Sequence, residues 1–409
     1  MKILNFGSCN IDTVYRLPHI TLSGETNIAS SVSSYPGGKG LNQSVALARA
    51  GLPVLHAGKV GEDGGMLTDF MHSVGIDTSL LRTVKTETGR AIIQVDDAGA
   101  NAIFVLHGAN FLFTREEIDE ILSHFSAGDL LTVQNEINEV AYIIRRAAEK
   151  GMKVFYNPSP FNERVAEVDL SCVHCLVVNE LEAGALLPGT AERTFLSAMR
   201  EKYPSTNVLL TLGGRGCRYE GEEGTFSSPA FRVAAVDTTA AGDTFTGYFI
   251  ASYARGVRIP AALRTASIAA ALAVSKKGAA SSIPAMAEVK AAERELTPAS
   301  DQGGGLTAEI TAYLHANLKT GTLTDFAKAS GYTPAYLGKA LHHATGHTFR
   351  ELLTAARCER AAELLVTTDL PIGEIISQLG YENGTHFRTL FLRTYGEKPL
   401  EYRKKRRNT

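Results

Sequence analysis

The chain has 409 residues, of which 44% are hydrophobic and 21% charged, with a formal net charge of −2. This length predicts two domains, or one large domain and a small one, and the composition is that of a globular protein. No apolar run is long enough to span a membrane, and five scattered cysteines exclude a disulfide framework, so we expect a cytoplasmic protein.

The charge is unevenly distributed along the chain. Residues 306–409 hold 14 Lys and Arg against 10 Asp and Glu, a net charge of +4, which leaves −6 for the rest. Five consecutive basic residues at 403–407 carry much of this excess. A basic C-terminal part beside an acidic body predicts nucleic-acid binding by the C-terminal part only.

The first 290 residues alternate strand-like and helix-like segments. The segment 2–8 is expected to be a buried strand rather than a signal peptide. Further short apolar runs, bounded by Gly, Asn or Pro, lie at 54–61, 130–137, 153–160, 175–180 and 207–214. The alternation predicts an α/β domain with a largely parallel sheet and helices on both faces.

Residues 88–110 differ from this pattern. Two alternating segments flank the turn-forming DDAGAN at 96–101. They predict an antiparallel hairpin, which we expect to form a flap over a site.

A glycine-rich turn precedes a predicted helix at 41–50, in PGGKGLNQSVALARAG at 36–51. Its glycines permit a close approach of the backbone to a ligand, and Lys39 and Asn42 add polar groups beside it. The segment is neither a P-loop nor a GxGxxG dinucleotide motif.

A carboxylate stands among small residues in DTTAAGDTF at 237–245. Small residues at a helix start let backbone N–H groups converge on negative charge. Asp243 could accept a proton from a substrate hydroxyl while the amides of Ala240, Ala241 and Gly242 hold a transferring phosphoryl group. Taken alone, these nine residues favour a plainer alternative, an acidic first-turn residue stabilised by the helix dipole.

Together and in this order, the two segments resemble the signature motifs of the ribokinase-like (PfkB) family of sugar and nucleoside kinases. The resemblance covers about residues 1–290. It implies a sugar kinase that uses ATP, Mg²⁺ and a monovalent cation (K⁺). It also implies that Asp243 is the catalytic base, with Ala240, Ala241 and Gly242 beside it. The hairpin would be a lid that also builds a homodimer contact.

The same resemblance assigns the remaining site residues. The implied sugar contacts are Asn10 and Asp12 on the first strand, Gly38, Lys39, Asn42 and Glu136. The implied nucleotide site is Asn179, Glu182, Thr211, Gly213 and Gly216, with Glu182 holding Mg²⁺ through water. The implied monovalent-cation loop is Asp237, Thr239, Ala273, Lys276, Gly278 and Ser282.

Each position also has a structural alternative. Asn10 and Asp12 could be turn residues at a strand end, and Glu136 could pair with Lys153 or an arginine. Asn179 could be a helix N-cap, with Glu182 completing a capping box. The shared order of residue types favours the kinase interpretation for the set.

Residues 296–305 lose all periodicity and contain Pro298 and three consecutive glycines, which predicts a linker. Beyond it, two similar units at 322–346 and 371–396 each show a short amphipathic helix, a Gly-Tyr turn and a second helix ending in Gly. This is the helix-turn-helix pattern, and the apolar spacing at 349–365 predicts a long helix between the units.

The region 306–406 resembles the AraC/XylS family of transcription regulators, which implies two recognition helices in successive major-groove segments of double-stranded DNA. The candidate base-reading residues are Thr333, Tyr336, Lys339, Asn383, Thr385, His386 and Arg388, with Arg388 the expected guanine reader. Phe387, Leu390 and Phe391 are expected in the core. Lys398, Arg403, Lys404 and Lys405 are expected to be phosphate contacts or a solvated tail. The alternative is a helical domain that does not bind DNA.

The expected architecture is an α/β ribokinase-like domain at 1–295 with a small β lid, a linker at 296–305 and an all-α double helix-turn-helix domain at 306–409. The expected activity is phosphorylation of a pentose, and the expected reaction is the conversion of D-ribose to ribose 5-phosphate. The same chain is expected to bind DNA as a transcription regulator. The open alternatives are a regulator whose kinase domain only senses sugar, and a kinase for deoxyribose or a nucleoside.

Overall fold

The computed structural model describes residues 1–97, 101–296, 305–330, 337–338, 341, 345, 347–381 and 384–407. The chain folds into two compact units, Met1–Ala299 and Ser300–Thr409. In the ranges just given, no helix is both long and apolar enough to cross a membrane.

The main sheet of the first unit has nine strands among the described residues. They are β1 (Ile3–Phe6), β4 (Leu55–Gly61), β5 (Leu81–Val84), β8 (Leu130–Gln134), β9 (Lys153–Asn157), β10 (Cys175–Asn179), β11 (Asn207–Thr211), β12 (Cys217–Gly221) and β13 (Gly224–Ser228). Their order across the sheet is β13-β12-β11-β10-β9-β8-β1-β4-β5. The strands from β11 to β5 run parallel, and β12 and β13 continue the sheet antiparallel.

Both faces of this sheet are covered by helices, so its central strands are buried and largely apolar. Neighbouring residues of one strand enter different apolar clusters: Ile3 joins the first and Leu4 the second. The helices of this unit are α1 (Lys39–Arg49), α2 (Gly65–Ser73), α3 (Arg115–Ser123), α4 (Val140–Glu149), α5 (Glu180–Leu186), α6 (Glu192–Lys202), α7 (Ala241–Ala254), α8 (Ile259–Val274) and α9 (Met286–Glu295). The predicted α/β fold with a mainly parallel sheet is confirmed.

A second sheet has four strands in the described residues, namely β2 (Asn10–Arg16), β3 (Ser31–Gly37), β6 (Gly89–Val95) and β7 (Asn101–Leu106), in the order β3-β2-β6-β7. β6 and β7 pair antiparallel, as predicted for the hairpin, whose residues 98–100 lie outside the described residues. The prediction missed β2 and β3. Their sequence is too polar and too irregular to separate from the loops that surround them.

The second unit is helical in its described residues. Its helices are α10 (Gly305–Ala316), α11 (Leu323–Ser330), α12 (Phe349–Thr367), α13 (Ile372–Gln378), α14 (Gly384–Tyr395) and α15 (Pro399–Arg407). The helix α12 begins in a capping box, in which Thr348 and Glu351 satisfy each other's backbone N–H groups. Two apolar clusters form along it, one including Phe349 and Ala356, the other Leu365, Phe387 and Phe391.

Candidate active site and DNA-binding face

The candidate active site lies where the carboxyl ends of parallel strands meet the first turns of two helices. The segments that follow β1, β8 and β10 converge there with the N-termini of α1 and α7. Open α/β sheets bind ligands at this edge, because loops from several strands share it with the positive ends of helix dipoles.

Asp243 occupies the first turn of α7 and is only 5% exposed. The Nδ2 group of Asn42 donates a hydrogen bond to its Oδ2 at 3.0 Å, and Nε2 of Gln43 donates to Oδ1 at 3.2 Å. The predicted first-turn position is therefore correct. Favourable interaction with the dipole does not explain why two amides from α1 orient this carboxylate.

The backbone before Asp243 makes a tight entry into α7. Ala240 has a φ of 61°, an uncommon left-handed conformation for a residue with a side chain. The amide of Ala241 donates to the carbonyl of Thr238 at 3.3 Å, a long hydrogen bond. The assignment of Ala240, Ala241 and Gly242 to phosphoryl binding stays a prediction.

Gln43 is a site residue that the sequence prediction missed. It is fully buried, and its Oε1 accepts hydrogen bonds from Thr132 Oγ1 at 2.9 Å and Gln134 Nε2 at 2.7 Å. These contacts orient the amide whose nitrogen binds Asp243. The only sequence signal was its place next to Asn42.

Gly247, one turn after Asp243, was also missed. A Cβ at this position would collide with the Cβ of Ala46 on α1. The glycine therefore allows α7 to approach α1 closely enough for both amides to reach Asp243. A glycine four residues after a candidate catalytic aspartate is the signal that could have identified it.

Charged groups from distant segments gather around Lys39. Asp243, chiefly, and then Glu136 and Glu182 raise the pKa of its ammonium above the usual value, against the opposing effect of burial. Burial, Glu136 and Asp243 together raise the pKa of Asp12 to about 7. The structure thus brings together five of the predicted residues.

Glu136 links the loop after β8 to the turn before α1. Its Oε2 accepts hydrogen bonds from Ser8 Oγ at 2.5 Å and from the backbone N–H of Lys39 at 2.9 Å. The alternative of an ion pair with Lys153 is wrong, because the Lys153 ammonium donates to the Tyr253 hydroxyl at 2.7 Å.

Asn10 and Asp12 lie on β2 of the four-stranded sheet, so their expected placement on the first strand is wrong. The chain leaves the main sheet after β1 and immediately starts the second sheet. Asn10 Oδ1 accepts a hydrogen bond from Nδ2 of the buried Asn110 at 2.8 Å. A Cβ at Gly37 would overlap the Asp12 carboxylate, and Gly38 has a φ of 93°, so both glycines are needed there.

Asn42 retains an unused acceptor. Within the described residues, its Oδ1 is buried and has no hydrogen-bond partner. An unsatisfied buried acceptor costs about 1–3 kcal/mol, so this atom is suited to receive a hydroxyl from a ligand.

The residues predicted for the nucleotide lie at the ends of β10 and β11. Asn179 and Glu182 form the capping box of α5, so the structural alternative for this pair is correct. The box uses Oδ1 of Asn179 and Oε2 of Glu182. Thr211 ends β11, and Gly213 and Gly216 have positive φ angles in the turn that follows.

The two loops predicted to hold a monovalent cation are joined by Asp237. Its carboxylate accepts hydrogen bonds from the backbone N–H and hydroxyl of Thr239 and from the backbone N–H of Gly278. These bonds hold its pKa below the usual value, although partial burial opposes them. The ammonium of Lys276 binds Glu288 at 2.6 Å, and a positively charged group with no lone pair cannot hold a cation, so this residue could contribute only its backbone.

The other two residues of that set are buried. Ala273 lies in the last turn of α8, and the Ser282 hydroxyl donates to the carbonyl of Ala279 at 2.9 Å. Across the described residues, no group of three or more His, Cys, Asp or Glu side chains is arranged to hold a metal ion.

The candidate DNA-binding face lies on α14. Phe387 and Phe391 are fully buried against the second cluster, whereas Thr385, His386 and Arg388 are exposed. The core placement of both phenylalanines is confirmed. Thr333, Tyr336, Lys339 and Asn383 lie outside the described residues.

Arg403 does not belong to an exposed basic tail, so that expectation is wrong. Its guanidinium donates hydrogen bonds to the carbonyls of Leu365 at 3.1 Å and Leu370 at 2.6 Å. It thereby satisfies backbone acceptors around the C-terminus of α12. Lys404 is exposed, and Lys405 pairs with Glu397 at 2.9 Å.

Comparison with known proteins matches residues 1–286 to the pfkB family carbohydrate kinases and residues 326–405 to a helix-turn-helix domain. The ribokinase of Bacillus subtilis is 35% identical over 294 residues, covering 71% of this chain and 98% of that protein. The deoxyribokinase of Salmonella typhimurium is 32% identical over 298 residues, covering 70% and 96%.

The crystal structure of the Cryptococcus neoformans ribokinase in complex with ADP is 32% identical, with a TM-score of 0.63, covering 71% of this chain and 99% of that one. The match and the geometry together define an ATP-dependent sugar kinase, followed by an AraC-type helix-turn-helix region. The chain belongs to the pfkB family of carbohydrate kinases.

Proposed function

We propose that residues 1–295 transfer the γ-phosphoryl group of ATP to the primary hydroxyl of D-ribose, giving ribose 5-phosphate. The observation that carries this proposal is the buried Asp243 carboxylate, oriented by Asn42 and Gln43 and facing the charge of Lys39. A general base must be held within hydrogen-bond reach of the proton that it removes, and this arrangement holds it.

In this proposal, Asp243 accepts the proton of the attacking hydroxyl. Asn42 Oδ1, Asp12 and Glu136 accept hydrogen bonds from the other sugar hydroxyls, and Asn10 and Lys39 complete the contacts. Lys39 offsets the negative charge that three neighbouring carboxylates place beside an anionic phosphoryl group. The four-stranded sheet excludes water from the closed site.

The nucleotide site in this proposal comprises Asn179, Glu182, Thr211, Gly213 and Gly216. The capping box engages Oε2 of Glu182, which leaves the other carboxylate oxygen for a water ligand of Mg²⁺. Mg²⁺ neutralises charge on the ATP phosphates when bound. Carbonyls of the loops that Asp237 joins would hold K⁺, and the fixed spacing of these loops supports that assignment.

We further propose that residues 306–409, joined through a linker at 296–305, bind double-stranded DNA and make the protein a transcription regulator. The exposed Thr385, His386 and Arg388 on a helix with a buried opposite face support this assignment. The remaining candidates, Thr333, Tyr336, Lys339 and Asn383, complete the proposed contacts.

A homodimer formed through the four-stranded sheet is part of the same proposal. The edge strand β7 exposes four consecutive apolar residues from Ile103 to Leu106, and Phe104 is 55% exposed. Contiguous exposed apolar side chains usually mark an interface. Light scattering should give twice the chain mass, and Phe104→Glu should give the mass of one chain. Identical masses for both proteins would reject this interface.

The deciding experiment is ATP-dependent phosphorylation of a panel of pentoses, hexoses and nucleosides, with deoxyribose included. Wild-type protein should turn over ribose, and Asp243→Asn should lower kcat by about 10²–10⁴-fold while sugar binding persists. Asp69→Asn, an aspartate on α2 away from the site, is the matched control and should retain full activity.

Other outcomes identify the alternatives. Preference for deoxyribose or a nucleoside would change the substrate within the same mechanism. Sugar binding without turnover of any compound would reject the kinase proposal and favour a regulator whose first domain senses sugar.

A further inference from the structure

A cavity lies beside α4, outside the site described above, and has a volume of about 480 Å³. This size falls in the range of small-molecule sites. Its walls include Tyr142 and Arg145 on the first two turns of α4, together with Phe111, Arg115 and Arg164. The proposed function uses none of these residues.

Three arginines line this cavity, and each is packed on an aromatic ring. The Arg115 and Arg145 guanidinium groups lie 4.9 and 5.4 Å from the centre of the Tyr142 ring, and the Arg164 group lies 4.5 Å from that of Phe111. A guanidinium stacked on a ring keeps its in-plane N–H groups available for hydrogen bonds.

The hydrogen bonds of these arginines inside the protein are few or long. Arg115 binds Glu139 through Nε at 2.9 Å, and Arg145 lies 3.9 Å from Glu149. Arg164 donates to the carbonyls of Ile137 at 3.3 Å and Asn135 at 3.4 Å. Short, bidentate hydrogen bonds to an oxyanion would be stronger than these.

The surroundings favour an anion that also carries hydroxyl groups. The cavity lies at the N-terminal end of α4, where the helix dipole attracts negative charge. Among the lining residues, three arginines outnumber two carboxylates, Glu139 and Glu167. Oxygen atoms of those carboxylates and of Asn138 can accept hydrogen bonds from hydroxyl groups.

Arg164 connects the cavity to the candidate active site. The two carbonyls that it holds belong to Asn135 and Ile137, the residues on either side of Glu136. Glu136 in turn binds Ser8 and the backbone of Lys39. A ligand that draws Arg164 toward the cavity weakens the support of the loop that carries Glu136.

We propose that this cavity binds a small phosphorylated sugar, with its phosphate on Arg115, Arg145 and Arg164, and that this binding lowers the affinity of the active site for its sugar. The first part of this proposal, binding to the cavity (the binding half), does not depend on the proposed kinase function. The second part, the effect on the active site (the coupling half), rests on that function. Reciprocal linkage requires that the sugar substrate also weaken binding of the phosphorylated ligand.

Calorimetric titration of the full chain with ribose 5-phosphate tests the binding half. Asn42→Ala, which weakens the active site, should retain one binding event, and adding Arg115→Gln and Arg145→Gln should abolish it. Arg193→Gln with Lys202→Gln removes two positive charges from α6 instead and should leave it intact. Absence of binding, or binding that survives Arg115→Gln with Arg145→Gln, would overturn the proposal. Equal affinity for inorganic phosphate would overturn its sugar component.

Steady-state kinetics tests the coupling half. Ribose 5-phosphate should raise the KM for sugar about fivefold more in the wild-type protein than in Arg115→Gln/Arg145→Gln. Product inhibition at the active site is common to both proteins and cancels in this comparison. Equal KM shifts would overturn the coupling. If the protein had no kinase activity, the proposed function would be refuted. The calorimetric titration would still decide whether the cavity binds the phosphorylated sugar.

Discussion

The two units of the chain hold their candidate functional residues in opposite ways. In the first unit, Asp243 is buried and bound by Asn42 and Gln43, and Gln43 is held by further polar side chains. In the second, Arg388 is exposed on α14, and the opposite face of that helix is apolar core. We therefore expect stability and function to depend on the same residues in the first unit and on different residues in the second.

The largest expected effect tests this separation on α14. Phe387→Ala should lower the free energy of unfolding of the second unit by about 3–5 kcal/mol, because it empties a fully buried position. Thermal unfolding followed by circular dichroism measures it.

The neighbouring change provides the matched control. Arg388→Ala should leave that unfolding unchanged but cost about 1–3 kcal/mol of discrimination against non-cognate DNA in a binding assay. A stability loss from Arg388→Ala comparable to that from Phe387→Ala would contradict the separation.

A smaller effect is expected where packing and chemistry coincide in the first unit. Gly247→Ala should cost about 1–3 kcal/mol of stability, because the new methyl group would force α7 away from α1. It should also lower kcat, since Asn42 and Gln43 would lose their reach to Asp243. Unfolding and kinase assays of one preparation measure both effects.

Gly184→Ala is the control for that substitution. Gly184 lies on α5, and no atom lies within 4 Å of the Cβ that the change would add. Since alanine is the better helix former by about 1 kcal/mol, this variant should be as stable as the wild-type protein or more so, with normal kcat. Full activity in Gly247→Ala would show that the two helices need not be so close.

The smallest expected effect is a pH dependence of sugar binding. The pKa of Asp12 is raised to about 7, so its carboxylate becomes a full acceptor only above that pH. The KM for sugar should fall roughly tenfold between pH 6 and 8, as the protonated fraction falls from most to little of the protein. Asp12→Asn should remove this dependence.

The same pKa has a consequence of opposite sign for stability. A carboxyl group with a raised pKa in the folded state stabilises the protein at low pH, and this contribution is lost as the pH rises through about 7. Asp12→Asn should therefore flatten the decline in unfolding free energy between about pH 4 and 7. If the unfolding free energy of Asp12→Asn declined over this pH range as in the wild-type protein, other titratable groups would be responsible for the decline.

The sequence predicted the parts of this molecule that depend on local patterns. Apolar runs located six of the nine main-sheet strands that the structure describes, and the helix-turn-helix spacing located α13 and α14. It did not reveal Gln43, Gly247 or Asn110, because tertiary folding brings each of them to its partner, and for Gly247 the only local signal was its spacing from Asp243. Arg403 was misassigned for the same reason: nothing local distinguishes an arginine that caps another helix from one in a basic tail.

The helix α12 runs through both apolar clusters of the second unit, with Phe349 and Ala356 in one and Leu365 in the other. The length of this helix therefore sets both the distance and the relative rotation between the two clusters. One residue inserted between Ala356 and Leu365 would lengthen it by about 1.5 Å and rotate one cluster relative to the other by about 100°. Length and rotation cannot be adjusted independently in a continuous helix. If the protein contacts DNA as proposed, the permitted spacing between the two DNA segments is determined by the number of residues in this helix.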